Sequence, residues 1–165
     1  MPMMNESGAR REIVRLSRSL FDRGFSVGTA GNISCLVEDG ILITPTNSYP
    51  GFLDPDRISK VSRDGRHLSG DKPSKEIFLP RAFYDSRTAT RTVVHLHSTC
   101  CTALSCHLDP NDCIPALTPY VVVGGRGGTI VALHTTWTCS RGRTDCAAGG
   151  RFAGVLLANH GPVVT

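Results

Sequence analysis

No apolar run in the 165-residue chain approaches the ~20 residues that a membrane-spanning helix needs, so no transmembrane segment is expected. Met1 to Arg11 is polar and lacks the apolar centre of a secretion signal, which leaves the cytoplasm as the expected location. Aromatic residues make up only 6% of the chain, with a single Trp, and the net charge of +4 is mild, with acids interspersed and no basic stripe. Nucleic-acid binding normally needs a clustered positive face and interleaved aromatic platforms, so nucleic acid is not an expected partner. The modest excess of cations suits an anionic metabolite instead. The seven cysteines, Cys35, Cys100, Cys101, Cys106, Cys113, Cys139 and Cys146, contain no C-x-x-C pair. Their odd number argues against a disulfide framework, and vicinal Cys100-Cys101 does not make a zinc knuckle by itself. Most read as buried small hydrophobes and none is assigned a role. With no repeat and no linker, one compact α/β domain over residues 1–165 is expected.

What is present is an alternation of helical and extended patterns. Ile13, Leu16 and Leu20 recur at helical spacing, with Ser7 placed to cap the helix and Gly24 to follow its end. The small-residue turn Gly28-Thr29-Ala30-Gly31-Asn32 enters a strand over 33–37, and Gly40 leads into a second over 41–44, a hairpin. A turn at 54–57, a short strand at 58–62 and a hairpin turn at Asp64-Gly65-Arg66 follow. Pro73-Ser74-Lys75-Glu76 opens a second helix that runs to Tyr84. A strand is predicted over 92–97, a helix over 99–108, a strand over 120–123 and a final apolar strand over 155–158.

The chemistry concentrates in Val94-His95-Leu96-His97-Ser98. Alternate residues of a strand share a face, so His95 and His97 both offer imidazole nitrogens to one cation, at about 2.0–2.1 Å for zinc. The plainer alternative is a partly buried pair satisfied by backbone carbonyls. A further histidine stands in Ala158-Asn159-His160-Gly161-Pro162. The turn at residues 28–32, Thr44-Pro45-Thr46-Asn47 and Pro73-Ser74-Lys75 supply amides, hydroxyls, carboxamides and a cation, the last at an expected helix start where the dipole favours anions. Together they suggest an anion pocket. Glu76 is either a solvated acid favouring that dipole or, beside a metal, a ligand or proton shuttle.

Taken in order, Gly-Thr-Ala-Gly-Asn-Ile-Ser, Ile-Thr-Pro-Thr-Asn, Ser-Gly-Asp-Lys-Pro-Ser-Lys-Glu, Val-Val-His-Leu-His-Ser-Thr, Leu-Thr-Pro-Tyr and Ala-Asn-His-Gly-Pro-Val-Val resemble the class II aldolase/adducin family. The resemblance covers residues 7 to about 124 and 151–165. Thr46-Asn47, Pro-Ser-Lys-Glu and His-Leu-His-Ser-Thr resemble its decarboxylase branch, whereas the sugar-phosphate aldolases tend to carry Thr-Gly and Ser-Ser-Glu there. The resemblance implies a three-layer α/β/α fold with a mixed, largely antiparallel sheet. It implies a divalent metal, usually zinc, on His95, His97 and His160, with Glu76 as acid/base that also touches the metal when substrate is absent. Thr29, Gly31, Asn32, Thr46, Asn47, Ser74 and Lys75 would surround the phosphate of a phosphorylated four-carbon sugar acid and its neighbouring groups. The implied reaction decarboxylates a 3-oxo-tetronate 4-phosphate, expelling CO2 and leaving dihydroxyacetone phosphate. Tyr120 would be a proton donor across a subunit interface, since family members are commonly homotetramers. Alternatives are a sugar-phosphate aldolase or 4-epimerase, a non-catalytic adducin-like module, and an inactive fragment.

The chain departs from the family in several places. Pro80 falls inside the expected second helix, where the family usually has histidine and where an interior proline costs about 3 kcal/mol or more. That threatens the placement of Glu76. Cys100 also stands where the decarboxylases tend to have a histidine. Residues 125–150 lack amphipathic periodicity where the family has a Pro-Tyr-x-x-Pro-Gly stretch and a helix. We read that segment as the product of a shifted reading frame, the normal frame resuming near Arg151, with a divergent loop of ~25 residues as the alternative. The family continues into C-terminal helices beyond the position of Thr165, so the chain reads as C-terminally truncated.

Overall fold

A computed structural model describes residues 4–107, 131–133, 154–157 and 159–165. The expected strand at 120–123, Tyr120, and most of the 125–150 segment lie outside the described residues. Among the described residues no helix is long and apolar enough to cross a membrane.

The first helix, α1, spans Glu6–Asp22. Its cap is Asn5, whose side-chain oxygen accepts from Gly8 N at 2.7 Å, and not Ser7. Both residue types cap well, and the phase of the buried face decides between them. Ala9, Ile13 and Ser17 are the buried positions, whereas Leu16 is 36% exposed. Gly24 follows the helix end as expected.

The hairpin forms as expected from β1, Asn32–Val37, and β2, Gly40–Ile43, with Val37 opposite Gly40. Then come β3, Ser59–Val61, and β4, His67–Ser69. The second helix, α2, spans Phe78–Ser86 and starts later than expected. Residues 74–77 form a turn in which Ile77 N donates to Ser74 O at 3.2 Å, so Ser74, Lys75 and Glu76 precede the helix. Pro80 therefore occupies the first turn of α2, where an N–H has no intrahelical acceptor to lose. The expected disruption of Glu76 by an interior proline does not arise.

The next strand, β5, is Thr92–His95 and ends two residues earlier than expected, leaving His97 beyond it. Helix α3, Thr99–His107, begins directly afterwards. The remaining strands are β6, Val131–Leu133, β7, Gly154–Leu157, and β8, Gly161–Val164. The strand expected over 155–158 is thus not the last. The Asn159-His160 turn closes a hairpin onto β8, a strand disguised by the Gly161-Pro162 that opens it.

The eight strands among the described residues form one sheet in the order β4-β3-β2-β1-β5-β8-β7-β6, antiparallel throughout except for the parallel pair β6 and β7. On one face Ala9 and Ile13 of α1 pack on Ile33, Val37, Leu42 and Ile58. On the other, Leu79 and Phe83 of α2 pack on Val93, Val155, Leu157 and Val163, while Ile77 and Tyr84 cover Leu36, Ile41 and Val61. This is the expected three-layer α/β/α arrangement. Phe83 is fully buried, worth about 1.5–3 kcal/mol relative to an exposed ring, and it anchors α2 over the strand that carries His95. Among the described cysteines, Cys35, Cys100, Cys101 and Cys106 are all free, but contrary to expectation none is buried: Cys35 and Cys101 are half-buried and Cys100 and Cys106, on α3, are exposed.

Candidate metal centre and active site

Three imidazoles and one carboxylate converge at one end of the sheet, on the α2 face. His95 shares the alternation of Val93, so it faces α2, and it is completely buried. Its Nδ1 lies 3.0 Å from the Pro162 carbonyl, which can only accept, so Nδ1 carries the proton and donates it. The Nε2 of neutral His95 is then a bare lone pair. It stands 3.0 Å from His160 Nε2 and 3.1 Å from His97 Nε2. Glu76 completes the group, with one oxygen 3.6 Å from His95 Nε2 and the other 3.5 Å from His160 Nε2. All four ligand atoms lie within 4.8 Å of one another.

Such a donor set fits a divalent cation. Tetrahedral ligands at about 2.0–2.1 Å from one centre stand roughly 3.3–3.4 Å apart, close to the four separations of 3.0, 3.1, 3.5 and 3.6 Å. Protonation states agree. Burial pushes the His95 imidazole down to about 4, against the pull of the Glu76 charge and the bond to Pro162. Burial, with His160 nearby, also lowers His97. Glu76 is raised by burial, but the hydrogen bond to His160 and the charges of the surrounding imidazoles outweigh this and hold it below the ordinary value. At neutral pH the ligating forms of His95, His97 and Glu76, neutral imidazole and carboxylate, are therefore the stable ones.

The neighbouring turns approach this group through close backbone contacts. Asn32, opposite His95 in the β1–β5 ladder, donates from Nδ2 to Glu76 Oε2 at 2.7 Å. Its Oδ1 is buried with no partner among the described residues. Gly31, at φ +84, brings the turn so near that a Cβ there would lie 2.6 Å from the His95 carbonyl oxygen. Thr46 N donates to Lys72 O at 2.9 Å and Pro45 bridges to Pro73, which ties the 44–47 turn to the one carrying Ser74. Ser74 is buried and its Oγ accepts from Glu76 N at 3.3 Å. The structure thus brings Gly31, Asn32 and Ser74 against Glu76 and His95, and ties Thr46 to the adjoining 72–73 segment. Thr29, Asn47 and Lys75 are exposed, and Asn47 takes the left-handed conformation at φ 55. Neither Lys75 nor Ser74 gains a helix dipole, because α2 begins only at Phe78.

Two features escape the sequence pattern. One is the Pro162 carbonyl that fixes the His95 tautomer. The other is α3, whose Thr102 and Ser105 hydroxyls bond the main chain of His160. The only local signal is a pair of hydroxyl residues three apart on a helix.

Residues 11–165 match the sequence family described as Class II Aldolase and Adducin N-terminal domain. The chain is 45% identical over 166 residues to 3-oxo-tetronate 4-phosphate decarboxylase of Pectobacterium atrosepticum, covering 99% of this chain and 76% of that protein. It is likewise 45% identical over 162 residues to the protein of the same name from Escherichia coli K12, covering 96% and 76%. Among solved structures it superimposes on YgbL from Klebsiella pneumoniae with a TM-score of 0.88 at 42% identity, covering 98% of this chain and 80% of that one.

Proposed function

This chain belongs to the class II aldolase and adducin family, and from that premise we propose that it is a metal-dependent carboxy-lyase converting 3-oxo-tetronate 4-phosphate to dihydroxyacetone phosphate and CO2. The observation that carries the proposal is the convergence of Glu76, His95, His97 and His160 in a chain so similar to proteins of that name. Glu76, His95, His97 and His160 would hold a divalent cation, zinc in our reading, which when bound would supply an electrophile for the 3-oxo group of the substrate.

The chain's own residues do the rest. In this 3-oxo acid the C1–C2 bond breaks, its electron pair passes to C2 and delocalises toward the C3 oxygen, and CO2 departs. A proton then adds at C2, so the net reaction takes up one proton. Glu76, ionised at neutral pH, takes up that proton on its carboxylate and delivers it to C2. Asn32 orients the carboxylate through Oε2. Thr29, Gly31, Thr46, Asn47, Ser74 and Lys75 receive the phosphate and the groups beside it, and Asn32 Oδ1 accepts from a substrate donor. Tyr120 from a second subunit of a homotetramer and a cytoplasmic location remain part of the proposal.

Incubating the zinc-loaded protein with 3-oxo-tetronate 4-phosphate and measuring CO2 and dihydroxyacetone phosphate tests the reaction. Glu76→Gln should retain metal and lose about 10²–10⁴-fold in kcat. Release of an aldehyde would make the chain an aldolase, inversion at a carbinol carbon an epimerase, and absence of bound metal an adducin-like module. The proposal also holds the chain to be one domain in which residues 125–150 arise from a shifted frame. Compensating insertions and deletions are then expected on resequencing the coding DNA from Gly124 onward, and an unbroken frame would refute this.

A further inference from the structure

His160 differs from the other two imidazole residues in where its backbone sits. It lies in the turn between β7 and β8, next to Asn159 at φ 55, where the ladder places Leu157 opposite Gly161 and holds neither turn residue. A ligand on a free-standing turn is poorly aimed, because small changes in turn angle swing the imidazole by ångströms.

Helix α3 supplies the missing constraint. Thr102 Oγ1 donates to the His160 carbonyl at 2.8 Å. The His160 N–H, already 3.2 Å from Leu157 O, is also 3.1 Å from Ser105 Oγ. Ser105 Oγ spends its own proton on Thr102 O at 2.7 Å, which leaves its lone pairs facing His160 N–H. The Ser105 carbonyl in turn accepts from Asn159 N at 3.2 Å. Both polar groups of the His160 peptide backbone are therefore gripped by two hydroxyls one turn apart on a single helix. That helix starts two residues after His97, and Thr102 N donates to Ser98 O at 2.9 Å, so the gripping residues are mechanically continuous with the His95–His97 segment.

We infer that Thr102 and Ser105 are positioning residues that set the aim of His160, making α3 the strut that holds the third imidazole in register with the other two. The inference rests on the proposed metal centre and deepens it. Outer residues that orient a ligand typically contribute 10–100-fold in metal affinity.

The test uses the full chain and Co2+ as a visible probe in place of the native ion. The wild type should bind Co2+ with a d–d absorption band. Thr102→Val and Ser105→Ala should each bind about 10–100-fold more weakly with an altered band, while Thr102→Ser, which keeps the hydroxyl, should match the wild type. Thermal unfolding of the metal-free variants accompanies the titration. Wild-type affinity and spectrum in Thr102→Val and Ser105→Ala would overturn the inference and leave the metal centre intact. Weakened binding in Thr102→Ser equal to that in Thr102→Val would overturn it too, because the hydroxyl would then not be the operative group. A wild type without Co2+ binding would overturn the metal centre itself, and the inference with it.

Discussion

Acid should weaken the metal-free protein well above the pH at which its carboxylates titrate, and the cause is His95. Its imidazole is fully buried and pushed down to about 4 by that burial, whereas an unfolded histidine titrates near 6.5. For a base whose folded value is depressed, the unfolded chain takes up the proton first as pH falls. The associated stability is complete above about 6.5 and is lost progressively between there and about 4. Between pH 7.5 and pH 5 the linkage relation gives a loss of about 2 kcal/mol from this one group. For a chain of this length that is a fall of roughly 4–8 °C in the midpoint of thermal unfolding. His97 is lowered in the same direction and adds to the loss.

The window isolates the imidazoles. Glu76, Glu6, Asp39 and Asp64 are all held below their ordinary values, so their contributions are lost only as pH falls below about 4.5. Urea unfolding in excess chelator at about pH 7.5, 6.5, 5.5 and 5.0 measures the slope. His95→Gln should flatten it. A midpoint unchanged between pH 7.5 and 5.0 would refute the argument, as would a wild-type slope in the His95→Gln protein.

Two further substitutions probe the frame around the site. Pro80→Ala should change stability by less than about 1 kcal/mol, because the proline stands in the first turn of α2 where no hydrogen bond is missing; a gain near 3 kcal/mol in urea unfolding would mean it does interrupt the helix. Gly161→Ala should impair both folding and Co2+ binding, since a Cβ there collides with the Leu96 carbonyl oxygen between His95 and His97; wild-type binding would show that the β8 hairpin sits farther from β5 than the ladder indicates.

Local signals made the first half of the sheet legible. The apolar alternation and Gly40 place the β1–β2 hairpin within a residue of its observed position, because a hairpin is decided by neighbours in sequence. The start of α2 was not legible. Pro73-Ser74 looks like a helix opening, yet Thr46 and Pro45 draw Lys72 and Pro73 into a cross-chain bridge, which delays the helix to Phe78. The phase of α1 was missed for a related reason: Leu16 is the more apolar residue, but the sheet offers its room to small Ala9 and Ser17. His95 and His97 announced themselves by spacing. His160 entered through its motif, and the hydroxyls that grip it lie 58 and 55 residues away, beyond the reach of any periodicity.

The sheet's topology explains why these distant segments meet. In the order β1-β5-β8, each strand is antiparallel to the next, so the start of β1, the end of β5 and the start of β8 fall at the same end. Asn32, His95 and the turn carrying His160 occupy those three positions. His95 is paired on both sides, with Asn32 in β1 and Val163 in β8. A slip of one residue in either ladder would turn it from the α2 face, where Glu76 waits, to the α1 face. Register and chemistry therefore constrain each other: the Val93 and Val163 contacts with α2 that fix the strand's face also fix the imidazole. A cation bound to all four ligands would in turn penalise any slipped pairing, since it would lose His95 and with it the tautomer that the Pro162 carbonyl imposes.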